Sequence, residues 1–293
     1  MIKKMILAVI ALGIFATSCS NDDDGNESSR LNLSIDGLEN LGSNFVYEGW
    51  VIVDGNPIST GIFTVDDSGN LSETSFQLAK ETLDAATNFV LTIEPAVDPD
   101  PAPAKTKLLI GGFSGNSAAL SSNGIVADFA SASGKYILAT PTDSDMTNEA
   151  SGVWFLDNST GSAVAGLDLP TLSDGWKYEG WVVFDGVPVS TGTFLSPEMA
   201  DDNASTSSFK GTEGDGPGYP GEDYIMGTAA GITFPTDLKG RTIVISVEPS
   251  PDNSAAPFTL KPLAHVVPDN AANHTTISMG TGPVSSLSGI VTR

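Results

Sequence analysis

From Phe45 the chain alternates in a way that predicts strands rather than helices. Val46, Glu48, Trp50 and Ile52 point one way and Tyr47, Gly49, Val51 and Val53 the other, with apolar groups in both sets. A period of two with apolar residues on each side marks a strand covered on both faces. Asp54-Gly55 then supplies the positive backbone angles that a tight reversal needs, so Ile58 to Val65 is expected to return antiparallel. Further strands are read at 71–76, 87–93, 106–112, 124–127, 135–140 and 152–156, with turns at short intervals. Pro95 to Pro103 holds too many prolines for a sheet interior and is expected to run extended over the surface.

The same pattern occurs twice. Tyr47-Glu48-Gly49-Trp50-Val51 through Phe63 returns as Tyr178-Glu179-Gly180-Trp181-Val182 through Phe194, identical at twelve of seventeen positions. Val90 to Pro95 is answered by Val244 to Pro249, and Ser151-Gly152-Val153 reads as the counterpart of Ser288-Gly289-Ile290. Two copies of this length point to tandem domains rather than a solenoid, whose repeats run roughly 20–50 residues. The expected layout is all-β: two immunoglobulin-like β-sandwich domains, at 30–157 and 166–293, joined by a linker at 158–165. Each is expected to own its core. Unit 2 is longer between its phenylalanine and its Glu-Pro, 54 positions against 31, and the surplus lies near 201–228, a loop rich in Gly and Asp. A loop of that length is either functional or without fixed structure.

The start of the chain is of another kind. Lys3 and Lys4 precede a short apolar run from Met5 to Ala16, then Thr17-Ser18-Cys19. This is the form of a secretory signal peptide over 1–18, its apolar stretch well short of the roughly 20 residues that span a bilayer. Cys19, the only cysteine, stands where lipoprotein processing would leave it first and lipidated. The stretch resembles a lipobox, with Ala16 where leucine is more usual. The following segment, within 19–29, is acidic and has no apolar side chain, so it reads as a tether that cannot bury enough surface to fold. Cys-Ser-Asn-Asp-Asp-Asp resembles the acidic export tag of Bacteroidota surface lipoproteins. The resemblance implies a lipid-anchored protein on the outer face of the cell outer membrane, the periplasm-facing side being the alternative.

Charge narrows the partners. With 13 basic residues against 36 acidic the chain carries −23, and losing Lys3 and Lys4 makes the mature protein more negative still. Nucleic acid is excluded as a partner, since its binders present a basic face. The expected partners are the membrane, through lipid on Cys19, and an envelope protein.

The paired strands, with their Pro-(Ile/Val)-Ser-Thr-Gly hairpin and Glu-Pro, resemble the extracytoplasmic C-terminal domain of anti-sigma-K factors (RskA type). The resemblance implies an all-β sandwich with a sensory or docking role. Members of that family add a transmembrane helix and a cytoplasmic sigma-binding domain, and neither is found in this sequence. A wholly exported chain would act without touching a sigma factor.

His265 and His274 occur only in unit 2 and read as surface loop histidines, without a repeated partner to orient them. Glu48/Glu179 and Glu94/Glu248 recur, yet each Glu-Pro sits at a strand end where a turn accounts for it. Asp143-Ser144-Asp145-Met146-Thr147-Asn148-Glu149 has alternating acids that calcium could use, but Asn148 stands where an EF-hand loop has its glycine. No enzyme, catalytic residue, cofactor or metal is therefore expected, and a non-enzymatic interaction module is the leading reading. The alternative is a surface glycan-binding lipoprotein in which Trp154, Trp176, Tyr219 or Tyr224 meets the sugar.

The anchor is testable. Cys19→Ser should abolish incorporation of radiolabelled palmitate, because a hydroxyl cannot replace the thiolate in lipid transfer. Undiminished labelling of the variant would refute the assignment.

Overall fold

The computed structural model describes residues 27–229, 231–251, 254–282 and 287–293. Signal peptide 1–18, Cys19 and the tether as far as Asn26 lie outside the described residues. Ser28 and Ser29, assigned to the tether from their polarity, instead open the first strand. There the backbone is what pairs, so side-chain polarity was no guide.

The first half of the chain forms β1 (Ser28–Asp36), β2 (Phe45–Val53), β3 (Asn56–Phe63), β4 (Ser75–Ala79), the short helix α1 (Lys80–Ala85), β5 (Asn88–Pro95), β6 (Lys107–Ser114) and β7 (Ser117–Ser121). There follow β8 (Ser133–Leu138), β9 (Gly152–Trp154), β10 (Leu156–Asp157), β11 (Val164–Ala165) and β12 (Leu167–Asp168). The repeat begins again with β13 (Trp176–Phe184), β14 (Val187–Phe194), β15 (Gly221–Asp223), β16 (Thr228–Ala229), β17 (Ile232–Thr233) and β18 (Thr242–Pro249). It ends with β19 (Leu263–Val266), β20 (Ile277–Ser278), β21 (Gly280–Thr281) and β22 (Ser288–Thr292).

The duplicated sequence makes duplicated local structure. Asp54 and Asp185 both stand at φ 50°, the left-handed region that a two-residue hairpin turn requires. Beyond the turn each hairpin carries a β-bulge at the same place, Gly49/Trp50 and Gly180/Trp181. A Cβ on Gly49 would lie 2.9 Å from the Phe89 ring, and one on Gly180 2.9 Å from Phe155, besides striking Thr60 and Thr191. Only glycine fits there, which is why Glu-Gly-Trp appears whole in both copies. Tyr47 and Val51 face inward, fully buried against Phe89, Leu91 and Ile93. Trp50 and Trp181 face the other way and are also buried, outside the main apolar cluster.

In unit 1 the antiparallel order is β3-β2-β5-β6-β7-β22-β1-β4. Unit 2 runs β14-β13-β18-β19-β21 and β12-β8-β9-β15, with β20 pairing β8. Taking β20 and β21 as one interrupted strand, the two orders match position for position: β8 holds in unit 2 the place of β22 in unit 1. Each sheet curls until its edges approach. Phe76 of β4 fills the space beside Gly61 of β3, where a Cβ would come within 2.8 Å of the ring. In unit 2 the Tyr224 hydroxyl, just past β15, donates to the Val189 and Ser190 carbonyls of β14 at 3.0 and 3.1 Å. The result is all-β and sandwich-like.

This pairing redraws the repeat. Strands β8 and β9, placed in unit 1 by a boundary at 157, pair with β20 and β15. The strand at 288–292, placed in unit 2, pairs with β1 and β7 of unit 1. Ser288-Gly289 therefore matches Ser133-Gly134 of β8, not Ser151-Gly152. Among the described residues one connected apolar cluster runs through both halves, from Leu31 and Phe89 to Phe184 and Ile245.

A fragment 166–293 lacks β8 and β9, two inner strands of its sheet, and carries a strand that belongs elsewhere. It should show no cooperative thermal transition by circular dichroism. A sharp transition in that fragment would contradict the pairing.

Candidate functional site

A hydrolase would need the recurring acids as a catalytic pair. Trp50 Nε1 donates to Thr92 Oγ1 at 2.9 Å, Thr92 donates to Glu94 Oε1, and the Ala104 amide donates to the same oxygen at 2.8 Å. Unit 2 repeats the relay: Trp181 Nε1 to Ser246 Oγ at 2.8 Å, Ser246 to Glu248, and the Phe258 amide to Glu248 at 2.8 Å. Each glutamate thus ties a strand end to the loop that follows it. Glu48 and Glu179 accept from Ser59 and Ser190, whose hydroxyls in turn accept from the Gly61 and Gly192 amides beside the bulge. All four recurring carboxylates shape the fold.

Departures from the repeat are where a site can be sought. With Ser288-Gly289 over Ser133-Gly134, Glu222 occupies the place of Phe76. The apolar plug of unit 1 becomes in unit 2 a buried set of acids, Asp201, Glu222 and Asp223, at 6, 3 and 0% exposure. Asp201 accepts from the Gly221 amide at 3.0 Å. Glu222 accepts from Ser207 and from the Asp223 amide. Asp223 accepts from the Thr142 amide at 2.8 Å and from Trp154 Nε1 at 2.6 Å. Burial pushes Asp201 and Asp223 up to about 6 and Glu222 up to about 8. Desolvation of the charged form is the main cause, with repulsion added from neighbouring carboxylates: Asp202 on Asp201, Asp143 on Asp223, and Asp201 and Asp223 on Glu222.

These acids seat the insertion. Asp223 fixes the Trp154 indole from one side, and the Gly-rich loop rests on the other, where a Cβ on Gly216 would strike the ring. Lys210 holds that loop through Asp215 and the Gly214 carbonyl. Tyr219 closes it by donating to the Ala163 carbonyl at 2.9 Å. Between loop and sheet runs an open groove of about 480 Å³, floored by Ile137, Trp154 and Leu156 and rimmed by Glu213, Asp215 and His274. The insertion near 201–228 is therefore a packed structure that makes a wall.

Trp154, Trp176 and Tyr224 are buried at 2, 2 and 0% exposure, and of the four aromatics proposed to meet a sugar only Tyr219 reaches the surface. His265 is not on a loop: it lies on β19, its Nδ1 3.0 Å from the Tyr136 hydroxyl, and burial pushes its pKa down. His274 is on a loop, with Nε2 3.0 Å from buried Glu149. In the acidic stretch Asp143 accepts from the Asp145 amide and the Asn148 side chain, and Asp145 from Thr147. Among the described residues no group of three or more His, Cys, Asp or Glu is placed to hold a metal. The Trp154–Asp223 pair, 69 residues apart, escaped sequence reading; its one signal was the lack of a counterpart to the insertion in unit 1. Comparison with family models, with curated proteins and with solved structures finds no match to this chain.

The buried acids set a pH dependence. Their folded-state pKa values lie above the ordinary 3.8 and 4.5, so the folded chain holds these protons more tightly than the unfolded one. That stability is fully present below about pH 4 and is lost as pH rises to 8. The melting temperature should fall between pH 5 and pH 8, and Glu222→Gln should fall less, by roughly 3–6 °C. Glu39, which burial raises to about 7 beside Lys261, contributes separately, and Glu39→Gln measures its share. Equal slopes for Glu222→Gln and wild type would show that Glu222 is ionised in the fold.

Proposed function

We propose that the protein is a non-enzymatic module of the cell envelope, exported by its signal peptide and held by lipid on Cys19 at the outer-membrane surface. It docks an envelope protein through the groove of unit 2. The observation that carries this reading is the asymmetry of the duplication. Both copies spend their shared carboxylates on the fold, and only unit 2 adds an insertion whose buried acids and Gly-rich loop build a groove with an apolar floor and an acidic rim. Duplication leaves one copy free to specialise while the other keeps the scaffold. An interaction or sensory role of the anti-sigma type fits this division, with any signal passing through a transmembrane partner rather than to a sigma factor directly. An apolar floor within a charged rim is the usual anatomy of a protein-docking patch.

A photoreactive side chain replacing Ala163, exposed on the lining of the groove, should cross-link on intact cells to one envelope protein. Glu213→Lys with Asp215→Lys should remove the cross-link, and the mature protein should bind no oligosaccharide on a glycan array. A cross-link that survives the charge reversal would move docking elsewhere. Oligosaccharide binding lost on Tyr219→Ala would make the ligand a sugar.

A further inference from the structure

Gly61 of β3 and Gly192 of β14 hold the same inward position of the two hairpins, and different atoms cover them. A Cβ on Gly61 would come within 2.8 Å of the Phe76 ring, whereas one on Gly192 would lie 1.9 Å from Asn203 Oδ1 and 2.7 Å from Asp201 Cγ. Two oxygen-bearing side chains thus stand in unit 2 over the spot that an aromatic ring seals in unit 1. Asp201 is 6% exposed. Its Oδ2 accepts from the Gly221 amide at 3.0 Å, but its Oδ1 is buried with no hydrogen-bond partner, and so is Asn203 Oδ1. The amides of Asp201 and Asn203 lie near enough to lower the Asp201 pKa, without bonding geometry to Oδ1. Thr191 Oγ1, next to Gly192, is also buried and unpartnered, as is its counterpart Thr60 Oγ1 in unit 1. The hydroxyl therefore belongs to the repeat, and the carboxylate and amide oxygens to unit 2 alone.

A buried acceptor without a donor costs free energy, and two acceptors side by side cannot satisfy each other. A cation satisfies both. The nearby lysines are committed elsewhere: Lys177 pairs with Asp202 and Lys210 with Asp215. We propose that Asp201 Oδ1 and Asn203 Oδ1, with the Thr191 hydroxyl beside them, form a site for a hard divalent cation of calcium's class. Carboxylate and amide oxygens are calcium's ordinary ligands, and half-exposed Asn203 lets water complete the roughly 6–8 oxygens that calcium takes. Magnesium keeps its waters more tightly and demands stricter geometry, so calcium is preferred. Such a site needs no cluster of three acids or histidines, and among the described residues there is none. A single ligating carboxylate sets the dissociation constant at about 10⁻⁴–10⁻³ M, the weak end of calcium sites. Bound there, the cation ties the start of the insertion to β14 and so roots the wall of the groove.

The test titrates calcium chloride into the full mature chain, in a Cys19→Ser background, after treatment with chelator. A proton competes with the cation for Asp201, so the pH dependence described above is that of the calcium-free chain. The titration is therefore run at about pH 8, above the Asp201 pKa. Because a chain of −23 gathers cations loosely, sodium chloride at equal ionic strength is the reference. Millimolar calcium should raise the melting temperature by about 2–5 °C over that reference. Asp201→Asn should weaken calcium binding, read by calorimetry, at least about tenfold. Asn203→Asp should melt lower in chelator, yet bind calcium at least about tenfold more tightly. Asp145→Ala, which removes an acid from the exposed stretch at 143–149, should change neither affinity nor melting shift. No calcium-specific shift overturns the proposal, as does an affinity that Asp201→Asn leaves unchanged or Asp145→Ala abolishes. So does an Asn203→Asp chain that melts lower at every calcium concentration without gaining affinity, since the Asn203 amide then donates to Asp201.

Discussion

A strand missing from the middle of a sheet leaves two facing rows of backbone donors and acceptors, and each unpaired group costs about as much as a lost hydrogen bond. In unit 1 those rows belong to β1 and β7, and residues 288–292 fill them from the opposite end of the sequence. The rest of the architecture depends on that insertion. It continues the sheet from β7 to β1, brings β4 round to β3 so that Phe76 meets Gly61, and ties the last segment of the chain to the first. It also explains why one apolar cluster serves both units: a chain that passes from unit 1 through unit 2 and back leaves no surface along which the two come apart.

Within that frame the two copies divide the work. Both keep the Trp–hydroxyl–Glu relay that ties a strand end to its loop, and both keep the bulge where only glycine fits. They differ in polarity at an inward position shared by β4 and β15. Phe76 seals the interior of unit 1, whereas Glu222 opens that of unit 2 to polar groups, and Asp201 and Asp223 complete the set. Three buried acids cost desolvation, which raised pKa values relieve by keeping protons on. In exchange they anchor the Trp154 indole and the loop over it, which makes one wall of the groove.

Much of this was legible in the sequence, and the remainder was hidden for physical reasons. Tyr-Glu-Gly-Trp, Asp-Gly and Glu-Pro are local signals, and they led directly to the hairpins, to the all-β class and to the structural role of Glu94 and Glu248. The closing strand shares only Ser-Gly with its counterpart Ser133-Gly134, because backbone pairing constrains few side chains, so its partner was misread as Ser151-Gly152. Ser28 and Ser29 looked like tether for the same reason. Asp201 and Glu222 sit in a stretch of Gly, Asp and Ser that reads as solvated loop. Ser207 and Gly221 of the same insertion bond Glu222 and Asp201, and the neighbouring Asp223 is satisfied only once Thr142 and Trp154 have been brought to it from distant segments. Trp154 read as a candidate surface aromatic, since nothing adjacent in sequence shows what covers it.

The dependence of unit 1 on residues 288–292 is the central claim, and amide hydrogen exchange of the mature protein tests it most directly. If the strand is paired on both sides, the amides of Gly289, Ile290 and Val291 should exchange as slowly as those of Leu33 and Leu120 on its neighbours, and all should open together in mild denaturant. Exchange of Gly289 to Val291 at the rate of a free peptide, with Leu33 and Leu120 still protected, would contradict it.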